Sequence, residues 1–494
     1  MRLWKRGGDI MDIVQITFAI YIAVILLATY WVSRRLRSVD VEDYQSEFYV
    51  GNRDLGMFVT AILIAAGAVS TGTFIGTPGF IWEFGPAFGI FILAQGPMNL
   101  YLLGIYGKKV SVVSRRINAN SLIDIYKERY EAYTPLVLTL ALAIVIFLEA
   151  YLAAEFVGGA RIVAAVTDLS YLVSLLIFGG IIILYTSLGG LRGAGMIGII
   201  QGAVMTLGTL ALLGASIFGV DSIYPSISQI DPQLLIPPGR GIPWFQYLSL
   251  WVTFTIGLLG LPHALQGVLG MDSSKTLRRS AGLGVGIVFL WSIVILIAGS
   301  AGKALNPAGI APDQNIPSLA LGTLPDPLAG IVLAGIVGAA QTTVASMSIL
   351  VSSAVVVNIY EDYLNPDLSA NGRKYLSGGI TAAVGLIGML IAIVEPPLLQ
   401  VIVVFAIGGL ATSLAPPLLL GMFWPRTNKY GAFIGSLVGL LSYIGLKQWG
   451  PGVIGGSPIS ITLTIAFVLT VAVSLVTAPP SKEVLQTYFG ARET

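Results

Sequence analysis

Residues 65–80 read AAGAVSTGTFIGTPGF, and residues 253–267 read TFTIGLLGLPHALQG. Each stretch lies in an apolar segment of membrane-spanning length and is interrupted by Gly and Pro. Paired interruptions in corresponding halves of a chain are typical of secondary transporters, whose broken helices free backbone carbonyls for cations. Packing glycines, which are common in membrane helices, are the alternative explanation. The two stretches therefore favour a transporter site between two broken helices.

The composition is that of a membrane protein. Of 494 residues, 55% are hydrophobic and 11% are charged, against about 25% charged residues in soluble globular proteins. The chain has no cysteine and one histidine, His263. This excludes a disulfide framework and a Cys-ligated zinc site, and it makes a His-rich metal site or a Ser-His-Asp triad hard to build. The net charge of +2 gives no basic footprint for nucleic acid.

Hydropathy predicts about thirteen apolar segments long enough to cross a bilayer as helices of roughly 20 residues. The segments are continuous apolar runs, which favours helices over the alternating strands of a β-barrel. The first is followed by arginines rather than a cleavage site, so we interpret it as a retained helix. The segments span 11–33, 56–81, 86–106, 134–158, 168–187, 191–219, 244–266, 280–302, 326–358, 375–395, 398–423, 430–449 and 459–478.

The distribution of Lys and Arg predicts the orientation. With the N-terminus outside, the loops assigned to the inside carry 20 of the 27 Lys and Arg residues, as the positive-inside rule requires. Arg2, Lys5 and Arg6 would lie outside and disagree. We expect a multi-pass protein of the plasma (inner) membrane, with the N-terminus outside and the C-terminus in the cytoplasm.

A cluster of hydroxyl side chains lies in the ninth segment, AAQTTVASMSILVSS (339–353). Ala339, Thr342, Thr343, Ser346 and Ser353 fall near one face at helical spacing. Neutral hydroxyls and carbonyls are hard oxygen ligands that suit an alkali ion. Hydroxyls that bond to their own helix or to a neighbouring helix are the alternative, and the residues alone favour it.

Six motifs in the right order and spacing resemble the sodium:solute symporter family, which includes bacterial proline, galactose, monocarboxylate and pantothenate symporters. The resemblance covers nearly the whole chain. The motifs are FYVGNRDLG (48–56), FIGTPG (74–79), NSLIDIYKERY (120–130), YTSLGGLRGA (185–194), GLPH followed by MDSSKTLRRS (260–263 and 271–280), and GMFWPRTNKYGAFIGSLVG (421–439).

The resemblance implies an all-α integral membrane protein with a LeuT-type inverted five-plus-five repeat. The resemblance also implies one extra helix before the repeats and two after them. Residues 1–494 would form a single polytopic domain. Within it, 11–33 is a peripheral first helix, 56–219 the first repeat, 244–423 the second repeat, and 430–478 two further peripheral helices.

The family's sodium site carries over onto five positions. The resemblance implies that the backbone oxygens of Ala66, Val69 and Ala339 and the hydroxyls of Thr342 and Thr343 bind a coupling sodium ion. These are five oxygens without formal charge, so selection of the ion would depend on cavity size and ligand number.

The chain departs from the family pattern at two positions. Gly198 stands where many members have an Asp after the Gly-Gly turn. Gly267 stands where members often have an Arg four residues after the GLPH histidine. The choice between sodium and protons, and the stoichiometry, therefore stay open.

The substrate is expected between the two broken helices. The candidate contacts are Ala68, Thr71, Gly72 and Thr73 on the second segment, Gln95 on the third and Glu149 on the fourth. A carboxylate near the bilayer centre costs roughly 2.5–3.5 kcal/mol on insertion scales, so it is usually functional or paired. Glu149 is close to the middle of its segment and Glu155 is nearer the outer end. A structural carboxylate that bonds to another helix is the alternative for Glu149.

The favoured function is secondary active symport, in which a sodium ion moving down its gradient drives uptake of a small organic solute by alternating access. A proton-coupled symporter that uses Glu149 or His263 is the alternative. An intramembrane enzyme would need clustered Asp or His residues, and a transporter-like sensor would need a signalling domain; the sequence shows neither.

We expect membrane lipid and a solute as partners, with no nucleic acid and no obligate protein partner. The GLPH variant of this motif favours carboxylate substrates, such as short monocarboxylates or pantothenate.

Overall fold

The computed structural model describes residues 12–36, 48–49, 57–119, 121–269, 273–365, 367–396, 398–449 and 457–490. Within these ranges the regular structure is entirely helical. Residues 50–56 of the FYVGNRDLG motif and the first two residues of MDSSKTLRRS lie outside the described residues.

The α-helices follow one another in an order close to that of the predicted segments. Short π-helical or 3-10 turns join some of them. The helices are α1 (Ile13–Leu36), α2 (Met57–Ala68), α3 (Thr77–Phe84), α4 (Pro86–Gly89), α5 (Gln95–Tyr101), α6 (Lys108–Ile117), α7 (Leu122–Arg129), α8 (Thr134–Thr167), α9 (Tyr171–Phe218), α10 (Ile223–Ile230), α11 (Trp244–Phe254), α12 (Pro262–Leu269), α13 (Ser274–Leu305), α14 (Asn315–Thr323), α15 (Asp326–Val355), α16 (Ala370–Ile391), α17 (Leu399–Phe423), α18 (Lys429–Trp449), α19 (Ile459–Val476) and α20 (Lys482–Phe489).

Eleven helical segments among the described residues are long and apolar enough to cross a membrane. The predicted segments 56–81 and 244–266 are not among these eleven because the structure interrupts both. The first is divided into α2 with 12 residues and a helical stretch that runs from Thr71 through the π-helical turn Gly72–Gly76 to the end of α3; the second is divided into α11 with 11 residues and α12 with 8. A half of this length is shorter than the roughly 20 residues of a full span. The count of thirteen spans stays a prediction.

Several predicted boundaries differ from the structure, two of them at pairs of glycines. The fourth segment was expected to end at residue 158, but α8 continues to Thr167, because apolar residues and alanines prolong the helix past the two glycines at 158 and 159. The fifth and sixth segments form α9, which bends at Gly190 (φ 53°, ψ −163°). A side chain at this glycine would collide with Phe48, 2.7 Å from an added Cβ. The Gly-Gly turn therefore needs glycine both for its positive φ and for close packing.

Helix α15 forms the centre of the bundle. Almost all of its residues are buried, and it packs against α1, α8, α9 and α16. Small residues permit this close approach: a Cβ on Gly335 would lie 3.2 Å from the Cα of Met205 in α9. Since a helix that is buried on all sides holds its side chains away from lipid, the hydroxyl groups of α15 face protein.

Most of the NSLIDIYKERY motif (120–130) forms α7. Ser121 caps its N-terminus in a capping box with Asp124, which satisfies two free backbone N–H groups. The guanidinium of Arg129 donates a hydrogen bond to the carbonyl oxygen of Gly421 (2.7 Å), in the last turn of α17. It donates another to the carbonyl oxygen of Thr427 (2.8 Å), beyond the end of that helix. Helix α7 therefore holds the end of α17, and it also contacts α12, the second half of an interrupted helix.

Candidate functional site

The first interruption separates α2 from the helix that begins at Thr71. Ser70 starts this second half: its carbonyl oxygen accepts hydrogen bonds from the N–H groups of Thr73 (2.9 Å) and Phe74 (3.1 Å). Its hydroxyl accepts the N–H of Gly72 (3.0 Å). A π-helical turn at Gly72–Gly76 follows, and such turns occur frequently at functional sites. The unwound residues 69 and 70 thus leave the last carbonyls of α2 without helical partners.

The second interruption separates α11 from α12. Thr255 leaves the helical region (φ −117°, ψ −93°), and a 3-10 turn at Ile256–Gly260 precedes Pro262, the first residue of α12. Gly260 lies directly on the backbone of α17, where an added Cβ would lie 2.4 Å from the Cα of Ala411. The glycine in GLPH is therefore required because the break packs on a neighbouring helix without space for a side chain.

One contact between predicted sodium ligands joins the first break to α15. The hydroxyl oxygen of Thr343 lies 3.4 Å from the carbonyl oxygen of Val69 and 2.9 Å from that of Ala339. The hydroxyl oxygen of Thr342 also lies 2.9 Å from the Ala339 carbonyl. All four residues are buried. Ala66, the fifth predicted ligand, lies in the last turn of α2.

The spacing of these oxygens suits a monovalent cation. Oxygen ligands of a hard cation of moderate size lie about 2.4 Å from it, so two ligands at a right angle are about 3.4 Å apart. This is the separation of the Val69 and Thr343 oxygens. A threonine hydroxyl has one hydrogen to donate and two lone pairs, so Thr342 and Thr343 can act as oxygen ligands while they donate to the Ala339 carbonyl.

The position of Gly198 bears on the same cluster. This residue lies on α9, and a Cβ added to it would lie 3.9 Å from Cγ2 of Thr342. The position where relatives often have an Asp therefore borders the hydroxyl cluster. The chain lacks a carboxylate there, so the four oxygens that the structure brings together carry no formal charge.

A buried hydrogen-bond network supports α15 beside the two threonines. The amide oxygen of Gln341 accepts hydrogen bonds from the hydroxyl of Tyr21 (2.6 Å) and from the amide of Gln201 (2.9 Å). Its backbone carbonyl accepts the hydroxyl of Tyr185 (2.6 Å). Side chains from α1 and from both halves of α9 thus fix the residue that precedes Thr342. Networks of this kind hold a helix in one position when all members are buried.

The carboxylate that contacts the first break is Glu155. One of its oxygens, Oε2, accepts hydrogen bonds from the backbone N–H (3.0 Å) and the hydroxyl (2.9 Å) of Thr71. Its side chain is fully buried. Because α8 extends beyond the predicted end of the fourth segment, Glu155 lies well inside the helix. A second intramembrane carboxylate in the same segment was the signal that could have identified it.

Glu149, the carboxylate predicted to contact substrate, lies elsewhere on α8. Its Oε2 atom would be 3.5 Å from a Cβ on Gly388, so the side chain faces α16. The structure does not bring it together with Thr71 or with the sodium ligands. Its role in substrate or proton binding stays a prediction.

The other predicted substrate contacts divide between two helices. Thr71, Gly72 and Thr73 follow the first break and are buried, and Ala68 is half-buried at the end of α2. Gln95 begins α5, which packs against α13 and against the 3-10 turn of the second break. Its amide oxygen has no hydrogen-bond partner among the described residues. The two groups thus border different breaks.

His263 lies directly after the second break. It is the second residue of α12, and its ring packs edge-on against Tyr151 of α8 with 5.7 Å between centroids. The Tyr151 hydroxyl in turn lies 3.2 Å from the hydroxyl of Ser70 at the first break. Tyr151 therefore connects the two interrupted helices.

Gln400 of α17 was missed by sequence analysis. Its side chain is fully buried, and neither amide atom has a hydrogen-bond partner among the described residues. It packs on Gly72 and Gly76: an added Cβ on Gly76 would lie 2.1 Å from Gln400 Oε1. Gln400 is a polar residue near the start of an apolar segment, and nothing in that position predicts its contact with Gly72 and Gly76. The contact depends on how α17 crosses the π-helical turn.

A cluster of three charged side chains lies at the start of α17. Arg161 of α8 forms ion pairs with Asp313 and with Glu395 (2.8 Å), and it donates a hydrogen bond to the carbonyl of Pro396. Asp313 also accepts the backbone N–H of Leu399 (3.0 Å). Burial raises the pKa of Asp313, and the positive charge of Arg161 opposes this shift. The cluster joins α8 to the turn before α14 and to the start of α17.

Comparison with known proteins identifies relatives over most of the chain. The family model described as "Sodium:solute symporter family" matches residues 48–439. A sodium/pantothenate symporter of Haemophilus influenzae is 33% identical over 83% of this chain and 85% of its own length. The sodium/pantothenate symporter of Escherichia coli is 30% identical over 87% of this chain and 90% of its own length.

A solved structure has the same fold. A Na⁺-coupled sialic acid symporter, determined in a substrate-bound outward-open state, superimposes with a TM-score of 0.79 at 19% identity. The match covers 96% of this chain and 100% of the other. The predicted all-helical transporter fold is confirmed by this likeness.

Proposed function

Since the chain belongs to the sodium:solute symporter family, we propose that it takes up pantothenate, or a closely related hydroxylated carboxylate, together with sodium. As a member of that family it is a membrane transporter that works by alternating access, with sodium as the coupling ion. The substrate is the proposed part. It is supported by two sodium/pantothenate symporters, 33% and 30% identical over more than four-fifths of the chain.

The observation that carries the mechanism is the approach of Thr343 on α15 to Val69 at the first break. A sodium ion held by these oxygens, with Ala66, Ala339 and Thr342, would join α2 to α15. The ion would order residues 69–73 and so prepare the substrate contacts that follow them. Sodium binding would then increase substrate affinity, and substrate binding would increase sodium affinity by the same factor.

The substrate contacts are proposed to be Ala68, Thr71, Gly72 and Thr73 at the first break and Gln95 beside the second. Backbone groups and hydroxyls can bond to the hydroxyl and amide groups of pantothenate. The unpartnered amide oxygen of Gln95 can accept a hydrogen bond from a substrate hydroxyl. Buried polar atoms normally have such a partner, which supports the presence of a ligand beside this residue.

The two repeats are proposed to be residues 56–219 and 244–423, with the helices outside them peripheral. The chain is proposed to lie in the inner membrane with the N-terminus outside and the C-terminus in the cytoplasm. In this orientation Arg161 and Asp313 lie at the outer end of the bundle, and α7 with Arg129 lies at the inner end. Release of sodium and solute would then require separation of helices beside α7.

Uptake into proteoliposomes tests the proposal. Labelled pantothenate, proline, acetate, pyruvate, lactate, galactose and sialic acid would each be supplied with an inward sodium gradient and, separately, with an inward proton gradient. We expect pantothenate uptake that requires sodium and is lost in Thr342→Ala and Thr343→Ala. Uptake driven by protons alone, insensitive to these changes but lost in Glu149→Gln, would instead establish the proton-coupled alternative.

A further inference from the structure

Glu155 has an unused oxygen in the centre of the protein. Its Oε2 atom accepts two hydrogen bonds from Thr71. Its Oε1 atom has no hydrogen-bond partner among the described residues, although the side chain is 0% exposed. A buried acceptor that lacks a partner is costly, and an ionised carboxylate without one is more so. This oxygen therefore indicates a ligand that is bound during the transport cycle.

The charge of Glu155 also lacks compensation from the protein. Within the described ranges, no Lys or Arg side chain forms an ion pair with it. The N-terminus of the helix that starts at Thr71 stabilises the carboxylate partly, through its N–H group and the positive end of the helix dipole. A cation at Oε1 would supply the remaining compensation.

The groups beside Glu155 are hard oxygen donors. Tyr151 precedes it by four residues, so both side chains lie on one face of α8. The Tyr151 hydroxyl is 3.2 Å from the hydroxyl of Ser70, and both residues are buried. Ser70 and Thr71 are consecutive in the unwound segment. A carboxylate with neighbouring hydroxyls is a ligand set for an alkali ion rather than for a soft metal.

We propose that Glu155 is the anionic ligand of a second sodium site, which Ser70 and Tyr151 complete with their hydroxyls. The inference rests on the proposed function, sodium-coupled uptake of pantothenate. This site involves α8, whereas the first sodium site involves α15: Val69 approaches Thr343 of α15, and Thr71 bonds to Glu155 of α8. Both ions would therefore order the same three residues.

The charge balance of transport follows from this site. Pantothenate carries one negative charge at neutral pH. One sodium ion would make uptake electroneutral, whereas two would move one net positive charge inward per cycle. Two ions would also raise the attainable accumulation of substrate to the square of the sodium gradient, multiplied by the contribution of the membrane potential.

The experiment measures the coupling ratio in proteoliposomes from the potential at which net pantothenate flux is zero under fixed sodium and pantothenate gradients. We expect two sodium ions per pantothenate in the wild type. Glu155→Gln keeps an acceptor for Thr71 and removes the charge, so its ratio should fall to one; uptake is then electroneutral, and no membrane potential brings the net flux to zero. Tyr151→Phe, which removes one hydroxyl, should raise the sodium concentration for half-maximal uptake while retaining potential dependence.

Glu149→Gln is the matched control because it removes a buried carboxylate from the same helix at a position that faces α16. Its ratio should remain two. A ratio of one in the wild type would overturn the second site, whatever the variants do, as would a ratio of two that persists in Glu155→Gln. A ratio that falls equally in both glutamate variants would also overturn it. Pantothenate uptake that does not require sodium would contradict the proposed function itself, which distinguishes the two failures.

Discussion

Replacing Arg161 by Gln is expected to weaken closure at the proposed outer end of the transporter. In the structure this side chain pairs with Asp313, with Glu395 (2.8 Å) and with the carbonyl of Pro396. These partners belong to the turn before α14 and to the segment that leads into α17. Gln cannot form the ion pairs, so three parts of the chain lose their common contact.

The magnitude follows from the burial of each partner. The Asp313 side chain is 2% exposed, that of Arg161 is 20% exposed and that of Glu395 is 43% exposed. Removal of one partner from a buried ion pair costs about 3–5 kcal/mol, whereas an exposed pair contributes about 0–1 kcal/mol. Since Arg161 is partly hydrated, we expect a loss of about 2–3 kcal/mol. This shifts the equilibrium toward the open state about 30- to 140-fold.

Cysteine accessibility measures this shift, because the chain has no cysteine of its own. Val403→Cys places a reporter on α17 at a buried position against Gly72. We expect a membrane-impermeant thiol reagent to label it about 30- to 140-fold faster in the Arg161→Gln background. Addition of Asp313→Asn should slow the labelling again, because the remaining unpaired carboxylate, Glu395, is exposed and no buried charge is left uncompensated. Equal labelling rates with and without Arg161 would refute the reasoning.

The pH dependence of the same rate has a predicted sign. Burial raises the pKa of Asp313 in the closed cluster, and exposure to water on opening would return it to the ordinary value. The closed state therefore binds the proton more tightly, so a fall in pH toward the raised pKa favours closure and slows labelling. Arg161→Gln removes the charge that opposes the shift, so its labelling should begin to slow at a higher pH than in the wild type.

Three further predictions concern the sodium site, the second break and the orientation. Thr343→Val removes one buried oxygen ligand worth about 1.5–3 kcal/mol, so the sodium concentration for half-maximal uptake should rise about 10- to 140-fold. Thr343→Ser keeps the hydroxyl, so the same concentration should stay within about threefold of the wild type. Equal values for the Val and Ser variants would contradict the ligand role. Gly260→Ala places a Cβ 2.4 Å from the backbone of α17, and the resulting overpacking of about 1–3 kcal/mol should lower the melting temperature. Gly257→Ala is the control: its added Cβ would have its nearest contact at 3.4 Å, so the melting temperature should change little. Gln233→Cys should react with an impermeant reagent in intact cells and Glu483→Cys only after permeabilisation; the opposite pattern would reverse the proposed orientation.

The broken helices were the most predictable feature of the fold. Gly and Pro within residues 65–80 and 253–267 remove helical hydrogen bonds or side-chain packing, and these effects are local. The structure accordingly interrupts both segments. The limits of α8 were less predictable, because a pair of glycines can end a helix or pack inside one. Gly159 packs against the ring of Phe178, with an added Cβ 2.0 Å from it, and this tertiary contact keeps the helix intact.

The candidate site was predictable where one element carries its residues in a regular pattern. Thr342 and Thr343 follow Ala339 at helical spacing and both bond to its carbonyl, and Thr343 lies beside the carbonyl of Val69. Contacts between distant segments were not predictable. The sequence gives no measure of which of two carboxylates on α8 faces the break, since the choice between Glu149 and Glu155 depends on the rotation of the helix against its neighbours.

The most direct test of sodium coupling is a pair of binding measurements on the purified protein. The dissociation constant of pantothenate is determined with saturating sodium and with potassium instead, and that of sodium with and without saturating pantothenate. If sodium orders the substrate contacts at residues 69–73, each ligand should lower the dissociation constant of the other by the same factor, about 5- to 150-fold. Thr343→Val should reduce both factors together. A pantothenate affinity that is the same in sodium and in potassium would contradict the account.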